Sequence, residues 1–209
     1  MTAEIKGLYA ITPETTDTQT LVDRVRAAIE GGARLVQYRS KSDDAALRHE
    51  QAAELLELCH AYHVPLIIND DVRLAALANA DGVHLGEEDA SLKEARINLG
   101  PDKIIGVSCY QDLALARRFA AEGADYVAFG SFYPSTTKPG ARPCPIGLLS
   151  EARKALRLPI VAIGGITPEN AGALVAAGAD AVAVISALFD APDIGATAAH
   201  FDSLFQTKH

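Results

Sequence analysis

The chain has 209 residues, enough for one domain with a substantial core, and 27 acidic against 19 basic residues give a net charge of -8 that disfavours a nucleic-acid partner. No apolar run reaches the ~20 residues that span a bilayer, and no secretory signal follows the first Met, so we expect no membrane partner. Cys59, Cys109 and Cys144 are odd in number and widely spaced, which favours free thiols in a cytoplasmic protein over disulfides or a zinc site.

Four copies of one junction mark half of the predicted strands. In each copy a helix-like segment ends in a small residue, an Ala and a polar residue, and an apolar strand follows; the Ala residues are Ala33, Ala80, Ala124 and Ala179. Their spacing of 47, 44 and 55 residues is about that of two strand-plus-helix units, so a second set of strands is expected between the copies. The short apolar runs that fit this second set are 7–11, 64–68, 103–107 and 158–163.

Helices are predicted between these strands, because apolar residues recur there with helical spacing and many of the segments begin with Asp, Ser or Thr. The expected helices are 17–30, 43–62, 71–79, 91–99, 111–122, 147–156, 168–177 and 192–205. Strict alternation of strand and helix predicts an α/β fold, a single-domain (β/α)₈ TIM barrel over residues 1–209. An open doubly wound sheet is the alternative. The stretch 131–146 contains four Pro residues and is expected to be an active-site loop.

In such barrels the chemistry lies at the C-terminal ends of the strands. Gln37, Arg39 and Lys41 follow the second strand and alternate onto one side. Two cations and an amide at one opening suit a phosphorylated ligand, since Arg offers a planar fork of donors and Lys a point charge. A solvated surface turn is the alternative.

Carboxylates follow the next two strands. Asp70 after the third strand and Asp89 after the fourth are expected to meet over the opening, where oxygen ligands beside cations predict Mg²⁺ shared with substrate phosphates. Helix capping is the alternative for Asp71 and Asp89, and we prefer it for Asp71. His84, inside the fourth strand, is predicted to be a hydrogen-bonded core residue rather than a ligand.

Hydroxyls and backbone amides follow the last four strands. Capping of the next helix is the alternative role for Ser108, after the fifth strand. The segment after the sixth strand lacks the glycine spacing of a Walker loop. Loops after the last two strands often bind phosphate through backbone N–H groups. The residues expected to bind ligand here are Ser108 after the fifth strand, Ser135, Thr136, Thr137 and Lys138 after the sixth, Gly165 after the seventh, and Ile185 and Ser186 after the eighth.

Taken together, these residues resemble the thiamine-phosphate synthase family from Gly7 to Phe189. Ser135 stands where the family usually has Thr, and Glu87 where Gln is common. Seven motifs carry the resemblance: Gln-x-Arg-x-Lys at 37–41, Asn-Asp at 69–70, Gly-Val-His-Leu-Gly-x-x-Asp at 82–89, Gly-Val-Ser at 106–108, Pro-Thr-x-Thr-Lys matched at 134–138, Gly-Gly-Ile at 164–166 and the final Ser at 186.

The resemblance implies a Mg²⁺-dependent transferase of thiamine biosynthesis. It would condense 4-amino-2-methyl-5-(diphosphooxymethyl)pyrimidine with 4-methyl-5-(2-phosphooxyethyl)thiazole to give thiamine phosphate and pyrophosphate. In the family the C–O bond breaks early, and the thiazole nitrogen captures a pyrimidinylmethyl cation. Closure of the 131–146 loop would exclude water from that cation.

The resemblance also implies a role for each site residue. Neutralisation of the leaving diphosphate would come from cations and the metal, whereas amides and hydroxyls would orient the two rings. The roles are Arg39, Lys41, Lys138 and Ser108 in catalysis, Asp70 and Asp89 at the metal, Gln37, Asn69 and Ser108 at the aminopyrimidine, and Ser135, Thr136, Thr137, Gly165, Ile185 and Ser186 around the thiazole phosphate.

Three alternatives stay open on the sequence. A thiazole tautomer isomerase on the same barrel would need no diphosphate-metal site. A Schiff-base aldolase needs a Lys in an apolar pocket, whereas Lys41 and Lys138 belong to polar loops. A non-catalytic ligand-binding barrel would have lost part of the metal site. Association into a homo-oligomer also stays open.

Overall fold

The structure, a computed structural model, describes residues 4–86, 89–134 and 143–206. Parallel strands pair in chain order there, and the first strand pairs with the last, so the sheet closes on itself and the open-sheet alternative is wrong. The predicted (β/α)₈ barrel is confirmed. The strands are β1 Gly7–Ile11, β2 Ala33–Tyr38, β3 Leu66–Asn69, β4 Gly82–Leu85, β5 Ile104–Tyr110, β6 Tyr126–Gly130, β7 Ile160–Ile163 and β8 Ala181–Val184.

Every strand is followed by a helix. Most helices begin one or two residues after the predicted start, because the prediction included the residue that caps the helix. Asp71, for example, caps the third helix by accepting a hydrogen bond from Leu74 N at 2.8 Å. The helices are α1 Thr18–Glu30, α2 Ala45–Ala61, α3 Val72–Ala78, α4 Leu92–Leu99, α5 Leu113–Glu122, α6 Gly147–Ala155, α7 Pro168–Ala177, α8 Ser186–Phe189 and α9 Ile194–Gln206. The short helix α8 was not predicted. Within the described ranges no helix has the length and apolar character needed to cross a bilayer.

Two apolar layers hold the barrel together. The larger layer lies between the sheet and the surrounding helices, and the smaller one fills the barrel interior. Burial of each large side chain stabilises the fold by ~1.5–3 kcal/mol. The interior is therefore a packed core rather than a pore; its buried members are Ile5, Tyr9, Ile11, Leu35, Ile67, Tyr126, Ala128, Val161, Ala181 and Ala183.

Aspartates of the repeated junctions connect strands at the N-terminal end of the barrel. Each precedes an even-numbered strand and accepts a hydrogen bond from a backbone N–H at the start of the odd-numbered strand beside it. Such a charge-assisted bond satisfies a strand end that would otherwise lose its partner. The three bonds are Leu66 N to Asp81 at 2.8 Å, Ile105 N to Asp125 at 2.7 Å and Ile160 N to Asp180 at 2.8 Å.

Each of these aspartates also contacts a cationic or titratable side chain from an even-numbered helix. His60 of α2 lies 3.1 Å from Asp81, Arg96 of α4 lies 2.7 Å from Asp125, and Arg153 of α6 pairs with Asp180. In the first copy the charges are reversed: Arg34 of β2 lies 3.4 Å from Asp202 of α9. The repeat found in the sequence is thus a structural device at the bottom of the barrel.

Candidate active site

Two carboxylates meet at the C-terminal opening of the barrel. Asp70 follows β3 and lies within hydrogen-bond reach of Asp89, which follows β4. Burial, and next the Asp89 carboxyl group, raises the pKa of Asp70 to about 6. Asp89 accepts a hydrogen bond from Gly86 N at 2.5 Å, and Ser91 rather than Asp89 caps α4, so the capping alternative for Asp89 is wrong.

Local backbone geometry directs Asp70 into this pair. Its φ of 63° lies in the left-handed region, which costs a non-glycine residue ~1–2 kcal/mol. The conformation is held by hydrogen bonds from Asp70 N to His84 O at 2.8 Å and from Asp71 N to Asn69 O at 2.7 Å. Asn69 Nδ2 also donates to Asp70 Oδ2 at 2.6 Å. A strained backbone conformation of this kind persists only where surrounding contacts hold it, and such conformations are common at functional positions.

Arg39 lies beside the same opening and is paired with an acid that the sequence analysis missed. Its Nη1 is 3.4 Å from Glu14 Oε1, and its positive charge lowers the pKa of Asp70 against the larger effect of burial. The Glu14 carboxylate also accepts from the backbone N–H of Lys41, at 2.9 and 3.1 Å. Glu14 follows β1 as Asp70 follows β3, and that strand-end position was the available signal.

A buried chain of hydrogen bonds joins Gln37 on β2 to Ser108 on β5 across the barrel interior. Gln37 Nε2 donates to the Tyr9 hydroxyl at 2.8 Å, and the Tyr9 and Tyr126 hydroxyls are 2.8 Å apart. His84 then lies 2.9 Å from the Tyr126 hydroxyl through Nδ1 and 2.9 Å from Ser108 Oγ through Nε2. Two residues predicted to touch ligand are therefore physically connected.

The contacts of His84 and Ser108 in this hydrogen-bond chain bear on two predictions. His84 is a hydrogen-bonded residue inside the barrel, as predicted. The capping alternative for Ser108 is wrong, because Ser108 lies within β5 and Asp112 caps α5. Tyr9 and Tyr126 were missed, although a Tyr in an otherwise aliphatic buried strand signals a hydroxyl that needs a partner.

The glycine pair after β7 packs against the first residues of the long loop. Gly164 and Gly165 have φ values of 105° and 61°, and a Cβ on Gly165 would lie 2.3 Å from the Pro134 carbonyl oxygen. Asn170 Nδ2 donates to Gly165 O at 3.0 Å. The glycines thus allow the loop to approach β7 closely, in addition to any contact with ligand.

Ile185 and Ser186 lie at the start of the short helix α8, directly after β8. This is where barrels of this class commonly place a phosphate, although the sequence predicted only a loop there. Glu87, Ser135, Thr136, Thr137 and Lys138 lie outside the described residues. Within the described ranges no group of three or more His, Cys, Asp or Glu side chains is arranged to hold a metal.

Comparisons with known proteins identify one family. A family model described as thiamine monophosphate synthase matches residues 8–188. The thiamine-phosphate synthase of Thiobacillus denitrificans is 60% identical over 202 residues, which cover 97% of this chain and 96% of that protein. The one from Methylobacillus flagellatus is 57% identical over 201 residues, covering 96% of each.

Among solved structures, the thiamine phosphate pyrophosphorylase from Pyrococcus furiosus is 33% identical and aligns with a TM-score of 0.85. The alignment covers 96% of this chain and 95% of that chain. The resemblance predicted from the seven motifs is thereby confirmed, and the chain belongs to the thiamine-phosphate synthase family.

Proposed function

We propose that this chain condenses the aminopyrimidine diphosphate with the thiazole phosphate, releasing thiamine phosphate and pyrophosphate, at the C-terminal opening of the barrel. The observation that carries the proposal is the Asp70–Asp89 pair beside Arg39. Two carboxylates held close together next to a guanidinium suit a ligand that brings both a divalent cation and phosphate oxygens. Neither a tautomer isomerase nor a Schiff-base aldolase has use for that combination.

The leaving group is a diphosphate, so the site must neutralise charge that grows as the C–O bond breaks. Arg39 and Lys41 are assigned to this task, with Lys138 as the third cation. Glu14 lies 3.4 Å from the Arg39 guanidinium and accepts a hydrogen bond from the Lys41 backbone N–H, so it helps to orient both. Oriented cations of this kind stabilise developing charge without a nucleophilic side chain.

Asp70 and Asp89 fit a hard divalent cation. They are oxygen donors, they lie within hydrogen-bond reach of each other, and the raised pKa of Asp70 reflects burial and a carboxyl neighbour that a cation would compensate. When bound, Mg²⁺ would supply positive charge to the diphosphate oxygens. Two protein carboxylates are an ordinary share of a Mg²⁺ site whose other ligands come from phosphate and water.

The remaining residues are assigned to the two rings and the second phosphate. Gln37, Asn69 and Ser108 orient the aminopyrimidine, and Gln37 and Ser108 are already joined through the buried hydrogen-bond chain. The groups assigned to the thiazole phosphate are Ser135, Thr136, Thr137, Gly165, Ile185 and Ser186. The free, buried thiols of Cys59, Cys109 and Cys144 support a cytoplasmic location, and a homo-oligomer is compatible with the assignments.

The test is an assay with purified protein, both substrates and Mg²⁺. Thiamine phosphate and pyrophosphate are expected in equal amounts, and a chelator should abolish their formation. Replacement Arg39→Met should lower kcat/KM by about 100-fold. Arg34→Met removes the same cation from the other end of β2 and serves as the matched control, with unchanged kinetics. Absence of product from both substrates with Mg²⁺ would overturn the proposal.

A further inference from the structure

The hydrogen-bond chain between Gln37 and Ser108 consists of groups shielded from water. Tyr9 is 1% exposed and Tyr126 is 0% exposed, while Gln37 and His84 are also buried. Burial raises the pKa of both tyrosines, so each hydroxyl keeps a proton that must be donated to an acceptor. Because a buried donor that lacks an acceptor destabilises the folded protein, the direction of each hydrogen bond can be derived.

The direction follows from the Gln37 end. The amide nitrogen of Gln37 can only donate, so the Tyr9 oxygen accepts from it. Among the described residues the remaining partner of the Tyr9 hydroxyl is the Tyr126 oxygen, so Tyr9 donates to Tyr126. Tyr126 must then donate to Nδ1 of His84, which leaves the proton of a neutral imidazole on Nε2, and Nε2 donates to Ser108 Oγ.

Each end of the chain then presents a defined group. The Ser108 oxygen accepts from His84, so its own proton remains for an outside acceptor. Gln37 uses its nitrogen on Tyr9, so its carbonyl oxygen remains for an outside donor. One side of the site therefore offers a fixed acceptor and the other a fixed donor, although Ser hydroxyls normally rotate freely.

Ring packing holds these groups in place. The His84 and Tyr126 rings are stacked at 5.6 Å with an interplanar angle of 20°, and the Tyr9 ring meets Tyr126 edge-on at 6.0 Å. A Cβ on Gly106 would lie 1.9 Å from Tyr126 Cζ, so the glycine of β5 provides the space in which the ring lies. The arrangement is supported by backbone as well as by side chains.

We propose that Tyr9, Tyr126 and His84 are positioning residues that fix the donor at Ser108 and the acceptor at Gln37, and thereby make the site select an aminopyrimidine over its oxo analogue. The selectivity rests on the proposed function, which assigns Gln37 and Ser108 to the pyrimidine. An aminopyrimidine offers an amino donor beside a ring-nitrogen acceptor, which complements this pair. The 4-oxo analogue offers a carbonyl acceptor beside an N–H donor, so both contacts would be mismatched.

The first test determines the donor-to-acceptor direction of these hydrogen bonds without any substrate. Nitrogen-15 NMR of the histidine side chains distinguishes the two neutral tautomers, and the His84→Gln variant identifies the His84 signals. The Nε2–H tautomer is expected in the unsubstituted protein, and loss of this preference is expected in Tyr126→Phe. A predominant Nδ1–H tautomer would show that the chain runs in the opposite direction and would overturn the proposal, whether or not the protein makes thiamine phosphate.

The second test measures selectivity by calorimetry with the amino and the 4-oxo pyrimidine-methyl monophosphates. Tyr126→Phe should reduce the preference for the amino compound by about ten-fold, because the donor at Ser108 is no longer fixed. Tyr38→Phe is the matched control, since Tyr38 is also buried and donates to Gln51 at 2.8 Å outside the barrel interior. It should retain the full preference.

If Tyr126→Phe fails to fold, as judged by its melting temperature against Tyr38→Phe, Tyr9→Phe provides the second variant. An unchanged preference for the amino compound in a folded variant would overturn the proposed selectivity. Failure of the unsubstituted protein to bind the amino compound at all would count against the proposed function instead, and the tautomer measurement would still decide the direction of the chain.

Discussion

At the N-terminal end of the barrel Asp81, Asp125 and Asp180 have the same contacts, whereas Asp70 and Asp89 at the opening have each other as neighbours. Each of the first three accepts from a strand N–H and lies beside a basic side chain. Asp70 instead has its pKa raised by burial and by Asp89. Acidic residues that lie beside basic side chains of the same chain stabilise the fold, whereas two carboxyl groups close together suit the positive charge of a bound ligand.

The largest expected effect follows from removing a carboxylate at the opening. Asp70→Asn should lower kcat/KM by at least about 100-fold in saturating Mg²⁺, because under the proposed function the cation that neutralises the diphosphate would lose a ligand. Its melting temperature at pH 8 should be equal or higher, since one of two close negative charges is gone. Steady-state kinetics and thermal unfolding measure the two effects. A clear loss of stability with normal turnover would place Asp70 with the structural aspartates.

The opposite result is expected for an aspartate at the bottom. Asp125→Ala leaves the Ile105 N–H and Arg96 without their common acceptor, so the free energy of unfolding should fall by ~1.5–3 kcal/mol. KM for both substrates should be unchanged, because the barrel opening is at the far end of the strands. Urea unfolding and kinetics of the folded fraction provide the measurements. Altered KM values would contradict the assignment of stability to the N-terminal end of the barrel and of substrate binding to the opening.

A smaller effect is expected at Glu14, which shares Arg39 with the proposed diphosphate site. Glu14→Gln keeps an acceptor for the Lys41 N–H but removes the charge 3.4 Å from Arg39. KM for the pyrimidine diphosphate should therefore fall two- to five-fold, which is about the effect of one exposed ion pair. Glu4→Gln makes the same charge change beside Lys6 and is the control. A higher KM in Glu14→Gln than in Glu4→Gln would mean that Glu14 helps to build the site.

The smallest effect is expected at Arg34, in the copy of the repeated junction where the charges are reversed. Arg34 contacts Asp202 at 3.4 Å with a side chain that is 60% exposed, and a cation cannot accept from a strand N–H. Arg34→Ala should therefore cost no more than ~1 kcal/mol of unfolding free energy. Asp125→Ala is measured under the same conditions. If both variants lose the same free energy of unfolding, the ion pairs, rather than the strand contacts, account for the repeat.

The order of strands and helices could be predicted from the sequence, because the same junction recurs four times along the chain. Periodic apolar residues and capping aspartates located the long helices to within about two residues. Helix α8 was missed, since four residues are too few for a periodic pattern. Strand β5 continues to Tyr110, beyond the predicted Val107, with a register shift against β6 that no local pattern reveals.

The sequence predicted several candidate site residues that follow strands, but not the residues that support them. Arg39, Asp70 and Asp89 follow strands and could be assigned from position alone. Tyr9 and Tyr126 are 117 positions apart, so their contact depends on the register of strands across the barrel. Glu14 could have been chosen as a candidate from its position after β1, but its contact with Lys41 depends on the conformation of a loop and could not be predicted.

The packed floor of the barrel has a consequence for the order of events. Buried side chains, among them Leu35, Ile67 and Val161, fill the barrel interior, so small molecules are expected to enter and leave through the C-terminal opening alone. Under the proposed assignments the pyrimidine contacts the buried Gln37, whereas the thiazole phosphate contacts the partly exposed Gly165 and Ser186. We therefore expect the pyrimidine diphosphate to bind first, because a thiazole phosphate that binds before it would block the entrance. Substrate inhibition by the thiazole phosphate, competitive with the pyrimidine diphosphate, is the kinetic signature of this one-ended access.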